Sequence, residues 1–198
     1  MILVIQPSAA DTYMTDGIPT QDNSGLNTVY SGRNAAYYFR SLFFFDLSGI
    51  PSGALITAAL LELYQTFRLG DHLGAPKTYS IFNLSRTDCT DLANWNTYNG
   101  MDNWTTPGGD FHASPKASHF VNNNTINIWR SWDVLANVLA WWASGAIAHF
   151  LLKQDPETLS LANLGWASKE YGAPTLRPKL TIDYEYAGRR RRMEAALC

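Results

Sequence analysis

Hydrophobic and polar residues alternate with a period of two along several short stretches of this chain. The alternation is clearest over residues 180–186, where Leu, Ile and Tyr are separated by Thr, Asp and Glu. A period of two places successive side chains on opposite faces of a β-strand. The pattern therefore predicts β-strands, in chain order, at residues 2–5, 11–14, 40–47, 56–67, 78–84, 126–131 and 180–186.

Two of these segments need a further argument. Residues 40–47 contain three consecutive phenylalanines and leave no polar face, which is typical of a strand that is buried on both sides. Residues 56–67 are rich in Ala and Leu, so a helix over residues 58–63 is a real alternative. We predict a strand, because alternate residues share a face and the flanking residues are turn formers rather than helix caps.

One segment has the period of a helix. Apolar residues at positions 134, 135, 138, 139 and 142 predict a short amphipathic helix near 134–143, with Asp133 as its N-cap and Gly145 as its C-terminal stop. The other segments are short strands separated by turn residues. The predicted fold is therefore all-β, a two-sheet jelly-roll sandwich with one short helix.

The composition fits one aromatic-rich core. Hydrophobic residues make up 46% of the 198 residues, aromatic residues 13% and charged residues only 16%, which excludes disorder for most of the chain. Large aromatic side chains bury much area, so such a core needs no disulfide or metal. Because four of the 15 basic residues lie at 189–192, we predict a single domain over 1–187 and a basic tail over 188–198.

The cysteines and the N-terminal segment bear on cellular location. Cys89 and Cys198 are too few and too far apart for a disulfide framework, so we expect both to be reduced. The first apolar run has four residues and lacks the basic flank and cleavage site of a signal peptide. No stretch of about 18 apolar residues occurs, so we expect no membrane association and no export by the secretory route.

No segment carries a catalytic motif. The nucleophile motif Gly-x-Ser-x-Gly is absent, and the glycine pair at 108–109 lacks the Lys-Ser/Thr of a phosphate loop. The four histidines lack the spacing of a helical zinc site. Glycosidase chemistry needs two carboxylates across a cleft, and no segment suggests such a pair. We predict a protein that is not an enzyme and has no cofactor and no metal.

Aromatic residues outside the predicted strands are candidates for sugar binding. The stretch 95–104 holds three aromatic residues among polar loop residues. Exposed rings stack on sugar rings, so Tyr98, Trp104 and Trp166 are candidates for glycan stacking. The alternative is that these side chains plug the sandwich, and we favour that alternative for Trp95.

The basic run near the C-terminus is a candidate docking segment. Clusters of arginine bind phosphate groups, which is one interpretation. A docking arm on an acidic protein partner is at least as good an interpretation, because a mildly amphipathic segment follows the run. A solvated tail is the third. We predict partner docking by Arg189, Arg190, Arg191 and Arg192.

Several segments together carry a family resemblance. Residues 10–13, 40–63, 95–96, 132–134 and 177–184, in this order, resemble the DNRLRE domain, a β-jelly-roll family related to carbohydrate-binding modules. The segment 95–110 looks like versions in bacteriophage-encoded members. The resemblance implies a jelly roll that binds rather than catalyses. Some members bind calcium, with aspartates at positions matching Asp11 and Asp46, but aspartates in turns more often accept backbone hydrogen bonds.

These observations lead to two hypotheses about function. The first is a bacteriophage virion protein, a capsid decoration or cement protein on the particle surface, made in the host cytoplasm. It would contact capsid or other virion proteins and form a homo-oligomer, with a trimer favoured. The alternative is a carbohydrate-binding module of a tail fibre, a spike or another polysaccharide-binding protein.

Overall fold

The computed structural model describes residues 1–143, 147–158 and 160–186. The division into a domain over 1–187 and a tail over 188–198 stays a prediction, because residues 187–198 lie outside this part. A short helix, α1, spans Leu135–Trp142, and a 3₁₀ turn spans Pro174–Leu176. The strands are β1 (Ile2–Ile5), β2 (Ala10–Thr15), β3 (Thr28–Arg33), β4 (Tyr38–Asp46), β5 (Ala54–Leu69), β6 (Lys77–Leu84), β7 (Phe111–Val121), β8 (Ile128–Asp133), β9 (Ile147–Gln154), β10 (Ala162–Ala167) and β11 (Lys179–Tyr186).

The strands form one antiparallel ladder that curls into two facing layers. The hydrogen-bonded order is β1-β11-β5-β10-β3-β4-β9-β6-β7, with β2 added to β4 and β8 added to β5. The ladder passes between layers where Gly32 and Arg33 of β3 pair with Phe39 and Tyr38 of β4. We call β1, β11, β5, β8, β10 and β3 the first sheet, and β2, β4, β9, β6 and β7 the second. The predicted all-β jelly-roll sandwich is confirmed.

Three aromatic side chains join the two sheets in the core. Trp132 and Trp166 of the first sheet lie edge to face, with ring centroids 5.6 Å apart. Tyr79 of the second sheet lies 6.3 Å from Trp166, and its carbonyl oxygen accepts the indole N–H of Trp132 at 2.8 Å. All three are at most 1% exposed. Because buried aromatic contacts of this kind are stabilising, they hold the two sheets against each other.

Strand β4 is buried on both sides, as its three phenylalanines predict. Phe43 and Phe45 face the main core between the sheets. Leu42 and Phe44 face outward from the second sheet, into a smaller cluster beneath the loop 85–110. Residues 54–69 form one continuous strand, so the choice of strand over helix for 56–67 is confirmed.

The helix begins one residue later than the N-cap prediction requires. Its N-cap position is Val134, so the prediction of Asp133 as N-cap is wrong. Asp133 ends strand β8, where it pairs with Leu60, and Val134 separates it from the first helical residue, Leu135. Its carboxylate still accepts the backbone N–H of Leu135 at 3.1 Å. Gly145, the predicted C-terminal stop, lies outside the described residues.

Four strands were not predicted from the sequence. They are β3 and β10 of the first sheet and β7 and β9 of the second. None of the described helices is long and apolar enough to cross a membrane.

Candidate functional site

The aromatic residues of the loop 85–110 lie beneath the loop rather than on its surface. Tyr98 is 7% exposed and Trp104 only 4%. The indole N–H of Trp104 donates to the carbonyl of Asn94 at 2.8 Å. The Arg86 guanidinium lies 3.7 Å from the centroid of the Tyr98 ring. The predicted glycan stacking is therefore wrong for both residues, because protein groups already cover their rings.

Trp166 is also out of reach of a sugar. It lies on the inner side of β10, is 0% exposed and packs against Trp132 and Tyr79 in the main core. Its indole N–H points to the hydroxyl of Ser31 at 3.3 Å. The prediction of glycan stacking by Trp166 is wrong, since the side chain serves the core between the sheets.

The basic run and one cysteine lie outside the part of the chain that the structure describes. Docking by Arg189, Arg190, Arg191 and Arg192 therefore stays a prediction. The other cysteine, Cys89, is a free thiol that is 8% exposed. Burial raises the pKa of this thiol to about 12, so it has little thiolate character at neutral pH.

The two aspartates that match the family pattern accept hydrogen bonds. Asp11 is 1% exposed and accepts the Ser8 hydroxyl at 2.7 Å and the Lys169 backbone N–H at 2.8 Å. Burial raises the pKa of Asp11 to about 6. Asp46 accepts the Ser48 N–H at 2.8 Å, which lowers the Asp46 pKa. Within the described ranges, no three His, Cys, Asp or Glu side chains are grouped so that they could hold a metal ion.

The loop 85–110 covers only part of the outer surface of the second sheet. Its buried residues, among them Cys89, Tyr98 and Trp104, pack on apolar side chains that point outward from the strands. That covered part is formed by Met14, Leu42, Phe44, Phe82, Leu84 and Leu151. The remainder of the outer surface carries mainly polar and charged side chains, and we call it the polar face. It includes Arg40, Lys116, Ser118, Phe120 and Lys153.

Five charged residues form an interlinked strip across the polar face. This charged strip consists of Arg40, Lys116, Lys153, Asp155 and Glu157. Arg40 donates two hydrogen bonds to Glu157, at 2.8 and 2.7 Å. Lys153 lies 3.6 Å from Glu157 and 3.7 Å from Asp155, and Lys116 lies 2.9 Å from Asp155. Positive and negative groups alternate, and bidentate and shared ion pairs hold them in fixed positions.

The electrostatics of the strip keep Asp155 ionised. Partial burial by itself would raise the pKa of Asp155, but the hydrogen bond from Lys116 and the charge of Lys153 outweigh it. The pKa of Asp155 is therefore lower than its ordinary value. Arg40 is also placed by the Trp95 ring, whose centroid lies 4.9 Å from its guanidinium carbon. The strip thus offers fixed acceptors and donors at neutral pH.

A polar depression lies at one end of the charged strip. It has a volume of about 530 Å³ and is lined by Ser85, Arg86, Thr105, Thr106, Gly109, Asp110 and Phe111. Asp110 accepts the backbone N–H groups of Thr105 and Thr106, each at 2.8 Å, which fixes this end of the loop. The Phe111 ring centroid lies 5.5 Å from Nζ of Lys153, so depression and strip form one surface.

The other end of the polar face carries hydroxyl groups and an exposed ring. Ser118 is exposed, and its hydroxyl oxygen lies 2.8 Å from that of Ser80, which is buried and lies 3.4 Å from Asp155. Phe120 is 58% exposed. On β7, Lys116, Ser118 and Phe120 alternate with inward residues, so they stand about 7 Å apart in a row. This row therefore presents an ammonium group, a hydroxyl group and one exposed aromatic ring to the solvent.

Sequence reasoning missed the polar face because its parts come from distant segments. Arg40, Lys116 and Lys153 lie on β4, β7 and β9, which only the fold brings together. A local signal did exist in β7, where polar or exposed residues at 116, 118 and 120 alternate with inward residues at 117, 119 and 121. That alternation could have indicated a strand with Phe120 on its outer side.

Comparison with known families shows to which class of module the chain belongs. A family model described as carbohydrate-binding module family 96 matches residues 4–184. The chain belongs to carbohydrate-binding module family 96. No curated protein matches the chain. Membership of family 96 agrees with the sequence resemblance at the level of a carbohydrate-binding β-sandwich. The DNRLRE assignment and the bacteriophage type stay predictions.

Proposed function

We propose that this chain is a non-catalytic module that binds a polysaccharide through its polar face. Membership of carbohydrate-binding module family 96 supports the ligand class. The observation that carries the choice of surface is the charged strip, which lies between the polar depression with Phe111 and the exposed ring of Phe120. The three residues that the sequence suggested for stacking are buried, so another surface must contact the sugar.

The chemistry of the polar face suits sugar hydroxyl groups. A hydroxyl both donates and accepts hydrogen bonds, so it can pair with a lysine and a carboxylate that lie side by side. The exposed Lys116 lies 2.9 Å from Asp155 and forms such a pair with it. Because the ion pairs already order these side chains, they lose less conformational entropy when a ligand binds. The open shape of the face favours a long chain over a small molecule that needs enclosure.

Calorimetric titration of the full chain with a panel of polysaccharides tests the proposal. The panel contains neutral members (xylan, galactomannan and mixed-linkage β-glucan) and acidic members (polygalacturonate and alginate). We expect saturable binding to at least one of them. Phe120→Ala removes a stacking ring and should weaken binding by about tenfold. Lys116→Gln, at an exposed position, should weaken it by about threefold or more.

The control is an aromatic truncation away from the polar face. Tyr37 is 46% exposed and lies in the turn between β3 and β4, so Tyr37→Ala should bind like the wild type. Absence of binding across the whole panel would contradict the proposed function. Equal affinities for Phe120→Ala, Lys116→Gln and Tyr37→Ala would place the sugar elsewhere on the molecule.

The biological setting of the module is a separate proposal. Membership of family 96 fits the alternative hypothesis, a bacteriophage tail fibre or spike that meets host glycans, better than capsid decoration. Capsid decoration depends on docking by residues 189–192, which the structure does not describe. Mass spectrometry and antibody labelling of purified particles test this setting, and absence of the chain from particles would contradict it.

A further inference from the structure

The outer surface of the first sheet carries a second set of aromatic and charged side chains. Tyr64 of β5 pairs directly with Trp129 of β8, and their ring centroids are 5.4 Å apart with the planes at 68°. Lys179 of β11 lies 2.7 Å from the carboxylate of Glu62. The Lys179 nitrogen also lies 4.9 Å from the centroid of the Trp129 ring. We call these four residues the outer platform.

A shallow depression continues the outer platform along β5. It has a volume of about 350 Å³ and is lined by Thr57, Ala58, Ala59, Leu60, Asp133, Leu135, Thr181 and Asp183. Leu60, Glu62 and Tyr64 stand on the same side of β5, so together they span about 14 Å. Leu60 pairs with Thr181 on one side and with Asp133 on the other. Depression and platform are therefore parts of one surface.

The mixture of groups favours a sugar over a protein partner. The centre of a protein interface is usually depleted of charged residues. Here the Lys179–Glu62 ion pair lies in the middle, between Leu60 and the Tyr64–Trp129 ring pair. A surface that alternates rings, hydroxyl groups and carboxylates instead suits a sugar ring, which has apolar faces and a polar rim.

The charge of this surface indicates the class of sugar. This surface carries three carboxylates, Glu62, Asp133 and Asp183, and one ammonium group, Lys179, so these four groups sum to −2. The charged strip on the other sheet has three cations and two carboxylates and sums to +1. The carboxylates of the adjoining depression would repel a polyanion, whereas a neutral glycan can donate its hydroxyl hydrogens to them.

We propose that the outer platform is a second carbohydrate-binding site, specific for a neutral glycan. It lies on the outside of the first sheet, whereas the polar face lies on the outside of the second. One module therefore holds two glycan chains on opposite sides and bridges them. This inference rests on the proposed function, since it assumes that the module binds carbohydrate.

Calorimetry with neutral oligosaccharides tests the second site. The probes are xylohexaose, cellohexaose and mannohexaose, titrated into the wild type, Trp129→Ala, Tyr64→Ala and Phe120→Ala. We expect at least one hexaose to bind with an affinity that falls about tenfold in Trp129→Ala and in Tyr64→Ala. Tyr37→Ala, titrated in the same way and outside both surfaces, should retain that binding within about twofold. Circular dichroism of each variant shows whether its fold is intact, and Tyr64→Ala serves if Trp129→Ala does not fold.

Each other outcome contradicts a definite part of the proposal. If no hexaose binds the wild type while a polysaccharide of the panel does, the outer platform is not a sugar site and the proposed function stands. The same holds if Phe120→Ala abolishes hexaose binding and Trp129→Ala leaves it intact. If the wild type sediments as an oligomer and Trp129→Ala as a monomer, the platform is a protein interface. If neither hexaose nor polysaccharide binds, the proposed function fails as well.

Discussion

The buried histidine of β9 should make the stability of this protein depend on pH. His149 is 4% exposed, and its ring stacks on Trp141 at 5.1 Å and meets the ring of Phe44 edge-on at 4.8 Å. Its Nδ1 atom has no hydrogen-bond partner among the described residues. Burial in this apolar setting lowers the pKa of His149 from 6.5 to about 4. Replacement by phenylalanine removes the titrating group and keeps an aromatic ring.

The size and sign of the effect follow from the two pKa values. The unfolded chain takes up the proton near pH 6.5, whereas the folded chain resists protonation until about pH 4. The contribution of the neutral His149 imidazole to the free energy of unfolding is therefore fully present above pH 6.5 and is lost as the pH falls toward 4. The difference between 6.5 and 4 is 2.5 pKa units, which corresponds to about 3 kcal/mol at or below pH 4.

A second buried group acts with the opposite sign over the same range. Burial raises the pKa of Asp11 from 3.8 to about 6, so its folded form holds a proton that the unfolded chain releases. Its contribution is present below pH 3.8 and is lost as the pH rises through 6. The pH profile of the wild type alone therefore mixes both effects. Asp11 is present in both wild type and His149→Phe, so its contribution cancels in their difference.

Urea unfolding followed by circular dichroism at pH 7.5, 6, 5 and 4 measures that difference. We expect the free energy of unfolding of His149→Phe, relative to wild type, to rise by about 3 kcal/mol between pH 7.5 and pH 4. The control is Phe120→Leu, an exposed position without a titrating group, which should leave the profile unchanged. A difference that stays constant with pH would refute the assignment of a buried, neutral imidazole at position 149.

Two further substitutions test the packing of the sandwich by urea unfolding. Gly32 has φ +114°, and a Cβ atom there would lie 1.8 Å from a carbonyl oxygen of β10, so Gly32→Ala should cost more than about 3 kcal/mol. Gly172→Ala, with open space around it, should cost less than about 1 kcal/mol. Trp132→Phe loses the hydrogen bond to Tyr79 and leaves a cavity, at a cost of about 3 kcal/mol, whereas the half-buried Trp129→Phe should cost about 1 kcal/mol.

Two results would contradict these expectations. A Gly32→Ala protein as stable as Gly172→Ala would mean that β3 and β10 do not approach as closely as the ladder requires. Equal losses in Trp132→Phe and Trp129→Phe would mean that the indole at 132 is not a central contact between the sheets.

The alternation of hydrophobic and polar residues was sufficient to predict a strand where one face of the strand meets solvent and the other meets the core. The strand over 180–186 is such a case, since Leu180, Ile182 and Tyr184 are buried and the intervening residues are not. Strand β4 was predictable for the opposite reason, because its run of phenylalanines leaves no side for water. In both cases the burial of each side chain follows from its own chemistry and its position in the period.

Strands were missed where polar side chains are buried by contacts far away in the chain. Strand β9 has seven consecutive buried residues, of which His149, Lys153 and Gln154 are polar. Lys153 is tolerated there because Asp155 and Glu157 lie beside its ammonium group. The spacing of hydrophobic residues within β9 gives no indication of these ion pairs. Strand β10 has no alternation either, since both its faces are covered and its sequence mixes Ala, Asn, Leu, Gly and Trp.

The orientation of the aromatic residues depended on the fold of a loop. Tyr98 and Trp104 belong to a polar segment, and their exposure was a reasonable expectation from its composition. The loop 85–110 folds back on the second sheet instead and turns these rings toward Leu42, Phe44 and Leu151. The rings left in reach of a ligand, such as Phe120, lie on strands whose outer side the loop does not cover.

By itself, the sequence determined the strand content, the aromatic core and the general class of fold, because these depend on the hydrophobicity and spacing of neighbouring residues. Only the tertiary structure decided which strand faces remain open and which charged residues meet on them. The charged strip draws on β4, β7 and the end of β9, and the outer platform draws on β5, β8 and β11. Contacts between residues so far apart in the chain arise from strand pairing, and no local pattern encodes them.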